Sequence, residues 1–350
     1  MTRFFMKVNA FRITNHLGLS VGVVACWVAL SRCTDPAPPA AESAPRADST
    51  WVALTAEIAA APNDAEPYVA RAVWSAEQGL FSEAISDLDL ALRADSGAAE
   101  AWEYKAELLY TARDFEATLS VLNRCVANAP QSTACRLRRA EMNIHLGQVE
   151  RAFDDLNAAL KLDDQLHEAY WMKGKLYEGL GNVDLARSSY ATAVEVRPDF
   201  YDGFIALGLF CANQGDALAE EYYRSAIELR PQSVEAHYNL AMHLQERGDL
   251  DKALATYDRI LELDPNNATA PFNQGYIHLE YRADYAAADS AFTEAIVRLP
   301  NYQQAYFNRG LARESMDRIE EALADYDEAL RLKPDYTEAA IAKGRVLKAL

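Results

Sequence analysis

Histidine and cysteine have a wide chemical repertoire, but their spacing in this sequence argues against metal or catalytic chemistry. The chain has 6 His and 5 Cys in 350 residues. His237 and His243 are six apart on one predicted helix, which places their side chains on different faces. The sequence has no Gly-rich phosphate loop, no two-His metalloprotease motif and no Cys pair at zinc-site spacing. We therefore expect no catalytic residues, no metal and no cofactor, and predict that the chain is not an enzyme.

Cys125 and Cys135 are the pair suited to a disulfide. Cys125 lies near the end of one predicted helix and Cys135 near the start of the next, with Pro130 in the turn between them. Such a turn can bring two Cα atoms within the roughly 4.4 to 6.8 Å that a disulfide requires. The alternative is that both remain thiols, Cys125 in a buried small-residue position and Cys135 half-buried. Cys211 occupies a predicted core position and is expected to be free and inert.

The charge of the chain restricts its partners. The sequence has 34 Lys+Arg against 52 Asp+Glu, a formal net charge of −18. Residues 1–33 hold four of the basic side chains and no acid, so the remainder is more acidic still. Such a surface repels phosphate backbones and anionic lipid head groups. We expect no nucleic acid partner, and membrane contact through a lipid anchor only.

Residues 1–33 predict an export signal. A basic segment precedes an uncharged, mostly apolar run of 14 residues, shorter than the roughly 20 that span a bilayer as a helix. The segment Leu30-Ser31-Arg32-Cys33 resembles the cleavage motif of bacterial lipoproteins, in which the Cys becomes the lipidated first residue, although Arg32 departs from the small residue of that motif. The resemblance implies lipidation at Cys33, with Cys26 as the alternative. Plain secretion or a short uncleaved anchor are the other interpretations.

Residues 34–48 contain four Pro among Ala and polar residues, without helical or strand periodicity. We predict an extended tether, which at about 3.1 Å per residue reaches roughly 45 Å. A tether of this length would hold a folded body away from a membrane surface.

Three sets of residues recur along the rest of the chain with a period of 34, apart from one interval of 33 and one of 35. The first set is mainly proline: Pro62, Ser96, Pro130, Asp164, Pro198, Pro231, Pro265, Pro300 and Pro334. Two sets of small residues share the period: Ala72, Ala106, Ala140, Gly174, Gly208, Ala241, Gly275, Gly310 and Gly344, and also Ala84, Thr118, Ala152, Ala186, Ala219, Ala253, Ala288 and Ala322. Each period holds two amphipathic helices, and small residues let their backbones approach closely. Since one pair cannot bury its apolar face alone, the pattern predicts an all-α solenoid of stacked pairs.

The repeat resembles the tetratricopeptide repeat (TPR), a helix–turn–helix unit of 34 residues. The resemblance is carried in the fourth and eighth repeats by Ala169, Tyr170, Gly174, Tyr177, Tyr306, Gly310, Ala322, Tyr326, Ala329 and Pro334. It implies a superhelix of about eight repeats, at 65–98, 99–132, 133–166, 167–200, 201–233, 234–267, 268–302 and 303–336. Residues 49–64 are predicted to form an N-terminal half repeat, and residues 337–350 a C-terminal capping helix. The fifth repeat lacks one residue near Asp216 and the seventh has one extra near Arg282, so we expect local changes of superhelical pitch there.

In this family the first helix of each repeat lines a concave groove, and the resemblance implies that places five, six and nine face a ligand. In the last three repeats these places hold Tyr238, Asn239, Phe272, Asn273, Tyr276, Phe307 and Asn308, and Trp171 has place five in the fourth. Equally spaced amides can hydrogen-bond the backbone of an extended peptide while aromatic faces hold its side chains. We predict a peptide-binding surface here. The alternative is that Asn at this place belongs to the repeat without any ligand.

The groove is predicted to be acidic in the first three repeats. Glu103, Glu107 and Glu141 hold equivalent places there, and Glu66 and Glu100 lie one turn earlier on their helices. The nearby cations are Arg138 and Lys175. The Lys and Arg pair with which family members clamp a peptide's terminal carboxylate is therefore not assembled. An acidic groove suggests a partner with a basic segment, and a merely solvated acidic face is the alternative.

Together these features predict a protein-interaction scaffold that holds an extended peptide or a helix of a partner protein. The export signal places it in a bacterial cell envelope, anchored by lipid and facing the periplasm or the cell surface, with a role in envelope assembly. Two alternatives stay open: a soluble periplasmic adaptor, and a regulatory or targeting subunit of an envelope enzyme complex. The sequence names neither the partner nor the oligomeric state.

Overall fold

The computed structural model describes residues 48–349, and this part of the chain is entirely helical, with no strand within it. The predicted all-α class is therefore confirmed. The predicted export signal over residues 1–33, with its candidate lipidation sites Cys33 and Cys26, lies outside the described residues, as does the tether up to residue 47.

Sixteen helices within residues 48–349 form eight consecutive pairs, and each predicted repeat contains one pair. The first helices are α2 (Glu66–Glu77), α4 (Ala99–Thr111), α6 (Thr133–His145), α8 (His167–Gly179), α10 (Tyr201–Asn213), α12 (Val234–Arg247), α14 (Thr269–Tyr276) and α16 (Gln303–Ser315). The second helices are α3 (Phe81–Ala94), α5 (Phe115–Asn128), α7 (Val149–Leu162), α9 (Val183–Val196), α11 (Ala219–Leu229), α13 (Leu250–Leu263), α15 (Tyr285–Arg298) and α17 (Ile319–Leu332). Helix α1 (Ser49–Ala60), capped by the Asp48 carboxylate, precedes the pairs, and α18 (Thr337–Ala349) follows them.

The two helices of a pair cross at a small residue on the first helix. In four repeats this residue is Gly, and a Cβ atom built there would lie 2.5 to 2.8 Å from an aromatic ring of the second helix: Gly174 with Tyr190, Gly208 with Tyr223, Gly275 with Phe292, and Gly310 with Tyr326. None of these four glycines has room for a side chain. In the first three repeats the same two places hold Ala72 with Leu88, Ala106 with Leu122, and Ala140 with Leu156, all buried. A smaller residue on one helix thus accompanies a larger one on the other, as close packing requires.

Stacking of the pairs curves the solenoid. Consecutive first helices, such as α4 and α6 or α6 and α8, approach one another more closely than consecutive second helices do. The first helices therefore lie on the inside of the curve and the second helices on the outside. This arrangement makes the inner face of the first helices a continuous concave surface.

The two repeats of unusual length differ locally from the others. In the fifth repeat the second helix, α11, has 11 residues where the other second helices have 14. In the seventh repeat α14 continues into a π-helical segment, Ile277–Arg282, which ends at Ala283 in the left-handed conformation (φ 52°). A π-helical turn accommodates one additional residue without ending the helix. The extra residue predicted near Arg282 is therefore absorbed inside the first helix.

Arginine side chains on the outer side tie successive second helices together. In the first, third and eighth repeats an Arg on the first helix forms an ion pair with an Asp sixteen residues later on the second helix: Arg71 with Asp87 (2.7 Å), Arg139 with Asp155 (2.6 Å) and Arg309 with Asp325 (2.7 Å). The Nη1 atoms of the same arginines donate to the preceding second helix or α1, at Thr55, Asn123 and Thr293. The aspartates are buried, so loss of one partner would leave an uncompensated charge.

Cys125 at the end of α5 and Cys135 in α6 are joined by a disulfide, with their Cα atoms 5.7 Å apart. Both residues are fully buried. Cys211, in α10, is free and buried, and burial raises the pKa of its thiol. This thiol is therefore expected to stay protonated near neutral pH.

The described residues contain no helix that is both long and apolar enough to cross a membrane. Within the same range no three His, Cys, Asp or Glu side chains are arranged so that they could hold a metal ion.

The crossing at Gly310 leads to a prediction about stability. Gly310→Leu should force a side chain against the ring of Tyr326 and lower the free energy of unfolding by about 1 to 3 kcal/mol. Each repeat contacts only its neighbours, so hydrogen exchange should accelerate near the eighth repeat and remain unchanged in the first three. Urea unfolding followed by circular dichroism gives the first quantity, and exchange mass spectrometry the second.

A matched double variant tests the same mechanism. Gly310→Ala combined with Tyr326→Leu reproduces the pairing of Ala and Leu in the first three repeats, and should recover part of the stability that Gly310→Ala alone loses. Strict additivity of the two changes, or loss of the whole helical signal in one step in Gly310→Leu, would contradict local packing at this crossing.

The cysteines allow a second prediction. When the unfolded, unreduced protein is alkylated, Cys211 should be the sole labelled cysteine within residues 48–349, and prior reduction should add Cys125 and Cys135. Peptide mass spectrometry reads the labels. Labelling of all three without reduction would rule out the disulfide.

Candidate functional site

The concave surface is built from side chains at places five, six and nine of the first helices. Place nine is one residue beyond the buried crossing residue at place eight, so its side chain lies about 100° around the helix from the crossing. The predicted aromatic residues at these places are all partly exposed: Trp171, Tyr238, Phe272, Tyr276 and Phe307. The crossing thus directs these side chains to the inner face.

Several of these aromatic side chains are braced by a second ring from the end of the same repeat. The ring centroid of Phe272 lies 4.8 Å from that of Tyr302, and the planes are nearly parallel at 30°. The ring centroid of Phe307 lies 5.2 Å from that of Tyr336, with the planes tilted by 53°. Trp171 has Phe200 at 6.1 Å, edge to face. Sequence reasoning missed Phe200, Tyr302 and Tyr336, although each occupies the last place of its repeat, next to the following first helix.

The asparagine row is not a set of three open amides. Asn273 is buried, and its Nδ2 donates to Met242 Sδ at 3.8 Å. Asn308 Nδ2 donates to the carbonyl of Gln304, one turn earlier on its own helix, at 2.9 Å. Asn239 is partly exposed, and its side chain has no hydrogen-bond partner among residues 48–349. Two of the three amides therefore hydrogen-bond within the protein, and Asn239 differs from them.

Two further residues occupy place nine of a first helix and therefore also face the groove. Leu209 of the fifth repeat is 43% exposed, an unusual exposure for a leucine on an inner helix. Met242 of the sixth repeat is partly buried beside Asn273. Leu209, Met242 and the five aromatic residues form a surface over repeats four to eight, which we call the aromatic groove.

The tyrosines of the aromatic groove are neutral, and burial makes them still harder to ionise. It raises the pKa of the Tyr238 hydroxyl, and it raises that of Tyr276 as well, where Glu280 adds to the effect. The bracing Tyr302 and Tyr336 behave alike: burial raises the pKa of both, that of Tyr336 to about 12. The hydroxyls are therefore protonated at physiological pH, and this surface presents uncharged rings.

The groove of the first three repeats is acidic and partly buried. Burial raises the pKa of Glu103, an effect that Arg138 opposes and Glu100 reinforces. Burial also raises the pKa of the nearby Tyr104 hydroxyl, and the carboxylates of Glu100, Glu107, Glu103 and Glu77 raise it further. Several carboxylates thus converge on α4, and we call the inner face of the first three repeats the acidic groove.

The two cations beside the acidic groove are already engaged. Arg138 forms an ion pair with Glu141 at 3.3 Å. Lys175 lies over the ring of Trp171, with Nζ 4.4 Å from the centroid, and burial lowers its pKa although Glu141 opposes the effect. Each of the two cations thus already has a partner within the protein.

The sequence matches models of one repeat family. Residues 70–133 and 217–268 match one tetratricopeptide repeat model, residues 167–200 match a second, and residues 304–336 match a third. Together these segments cover just over half of the chain.

Two curated proteins are similar to parts of the chain. RNA polymerase II-associated protein 3 of Mus musculus is 31% identical over 105 residues, which are 30% of this chain and 16% of that protein. DnaJ homolog subfamily C member 7 of Homo sapiens is 23% identical over 253 residues, 72% of this chain and 47% of that protein. The chain thus spans less than half the length of either relative.

A solved structure is similar in fold. It is the C-terminal part of a TPR repeat-containing protein from Cytophaga hutchinsonii, with a TM-score of 0.58 and 19% sequence identity. The likeness covers 68% of this chain and 98% of that structure. Family models match over half of the sequence, and the helix pairs have the period and the small-residue crossings of that repeat. The chain therefore belongs to the tetratricopeptide repeat family.

Proposed function

We propose that this chain is a non-enzymatic scaffold that holds an extended peptide, or a helix, of a partner protein in its concave groove. TPR proteins are protein-interaction modules, and the proposal assigns that role to the aromatic groove. The supporting observation is that partly exposed, uncharged rings at places five and nine are braced from behind, as Phe272 is by Tyr302. Rigid aromatic anchors lose little conformational freedom on binding, and such residues usually dominate interface energies.

The acidic groove extends the binding surface toward the N-terminus. Its carboxylates favour a partner that carries basic residues on the part of its segment lying over repeats one to three. The aromatic groove favours apolar side chains on the remainder. The segment we propose is therefore basic at one end and apolar at the other.

We place this scaffold in the bacterial cell envelope, tethered through a lipid on Cys33, where it assists an envelope assembly. The supporting features are the export signal and the Pro-rich residues that follow it. A soluble periplasmic adaptor and a subunit of an envelope enzyme complex are the alternatives that the experiments below distinguish.

The groove is tested by site-specific photo-crosslinking in intact cells. A photoreactive amino acid at Leu209, inside the aromatic groove, should give an adduct with a partner chain. Its matched control is Leu185 on the second helix α9, which has similar exposure, 45% against 43%, but lies on the outer side. Adducts at Leu185 and none at Leu209 would overturn the groove as the binding surface.

The captured partner then allows an affinity measurement. Leu209→Glu should weaken binding about tenfold or more, because a carboxylate would be buried against an apolar segment, while Leu185→Glu should have no effect. Asn239→Ala should cost roughly 0.5 to 1.5 kcal/mol, or about two- to tenfold, since its amide is free to hydrogen-bond the ligand backbone. Asn308→Ala is the internal comparison, and equal losses for the two asparagines would argue against recognition by the free amide.

The anchor is tested by metabolic labelling with palmitate. We expect the parent chain to be labelled and Cys33→Ser to lose the label, while Cys26→Ser keeps it. Loss of the label in Cys26→Ser alone would move the lipid to the alternative site. No label in the parent chain would favour the soluble adaptor.

A further inference from the structure

The π-helical turn of the seventh repeat changes which residues lie beside the aromatic groove. Its backbone hydrogen bonds span five residues, as in the bond from the Ala283 N–H to the His278 carbonyl. In an α-helix Tyr281 would lie about 140° around the axis from Tyr276, five residues earlier. In a π-helix a residue five places later returns close to the same side. The turn therefore directs Tyr281 toward Tyr276, which occupies place nine of this repeat.

Tyr276 and Tyr281 form an edge-to-face pair that is open to solvent. Their ring centroids are 6.2 Å apart, and their planes are inclined by 68°. Tyr281 is 51% exposed, and Tyr276 is partly exposed. Both rings thus keep accessible surface beside the groove. Aromatic faces attract cations, because the π-electrons make the face of the ring negative.

Glu280 lies next to the same two rings. Burial raises the pKa of the Tyr276 hydroxyl, and Glu280 and then Tyr281 add to the effect, so the three groups are close enough to interact. Glu280 is exposed, and its carboxylate has no ion-pair or hydrogen-bond partner within residues 48–349. A free carboxylate therefore lies beside two accessible aromatic rings.

Acids near the ends of two other first helices are engaged within the protein. Glu178 of α8 accepts a hydrogen bond from the Tyr190 hydroxyl, and Glu314 of α16 accepts one from the Tyr326 hydroxyl. At the corresponding crossing the seventh repeat has Phe292, which has no hydroxyl to donate. The acid of the seventh repeat therefore has no such donor.

The neighbouring arginine is directed away from this acid. Arg282 donates through Nη2 to the carboxylate of Asp251, at the start of α13 in the sixth repeat. Its charge is thus taken up by the preceding repeat. The surface formed by Tyr276, Glu280 and Tyr281 keeps a net negative charge.

We infer that Tyr276, Tyr281 and Glu280 form a subsite for one basic side chain, a lysine or an arginine, of the segment held in the aromatic groove. The cationic group lies against the tyrosine rings and pairs with the carboxylate, so both interactions act on the same charge. The partner segment then carries a positive residue inside its apolar part, in addition to those over the acidic groove. This inference rests on the proposed peptide groove.

The test uses a phage-displayed library of random dodecapeptides, selected on the folded chain. Groove ligands are the peptides whose binding is lost in Leu209→Glu. In Glu280→Lys the subsite would have a positive charge, so one position of the groove ligands should change from Lys or Arg to Asp or Glu. Glu195→Lys, at an exposed position on the second helix α9, is the matched control and should select the same residues as the parent.

A double-mutant cycle measures the contact directly. A selected peptide is compared by fluorescence anisotropy with the same peptide carrying norleucine in place of its basic residue. Glu280→Gln should weaken the basic peptide about threefold or more and leave the norleucine peptide unchanged. Tyr281→Leu should weaken the basic peptide to a similar degree, whereas Tyr281→Phe keeps the ring and should bind as the parent does. Both residues are exposed, so these variants are expected to fold, which circular dichroism checks.

Failure of the groove and failure of the subsite give different results. If no selected peptide depends on Leu209, the groove is wrong, and the subsite with it. If such peptides are found but Glu280→Lys selects the same residues as the parent, the subsite alone is wrong. The same conclusion follows if Glu280→Gln weakens the basic and the norleucine peptides equally, or if Tyr281→Leu leaves the basic peptide unaffected.

Discussion

The close crossing of the two helices in each pair is the constraint on which the rest of this structure depends. Where the first helix has Gly, as at Gly174 and Gly310, an aromatic ring from the second helix lies directly against its backbone. The hydroxyls of those tyrosines extend past the crossing and donate to acids on the first helix, Tyr190 to Glu178 at 2.8 Å and Tyr326 to Glu314 at 2.6 Å. In these two pairs one tyrosine therefore provides both the close packing at the crossing and a hydrogen bond between the helices.

That geometry determines which surfaces are free to bind. Since the crossing takes one face of each first helix, the adjacent face is turned to the inside of the curve and carries the partly exposed rings. Bracing by the last residue of the repeat, as in Phe272 with Tyr302, then holds those rings without covering them. The groove is mainly apolar and aromatic over repeats four to eight, with Lys175 at its N-terminal end, and acidic over repeats one to three, so a bound segment would be oriented by its own charge distribution.

Equivalent positions on the outer side are filled differently in the third and eighth repeats. In the eighth repeat Arg309 and Arg313 of α16, Asp325 of α17 and Asp289 of α15 form a largely buried ionic network that joins three helices. In the third repeat the corresponding place has Asn143, and a polar cavity remains. A repeat fold allows such divergence because each unit contacts only its neighbours, and a change in one unit leaves the packing of distant units intact.

The sequence by itself determined the features that depend on local periodicity. The 34-residue spacing predicted the helix pairs, and the small residues at place eight predicted the crossings, because backbone approach depends directly on side-chain size. It also indicated one residue too many near Arg282, but the π-helical form of Ile277–Arg282 was decided by the packing around it.

The side-chain amides of Asn273 and Asn308 hydrogen-bond within the protein and that of Asn239 does not, a difference that depends on the tertiary contacts of each residue. The aromatic braces and the outer cavity were likewise beyond the sequence, since they depend on side-chain contacts between residues 12 to 30 positions apart. Periodicity places a residue on a helix face, but the side chains of neighbouring helices decide which of its atoms remain free.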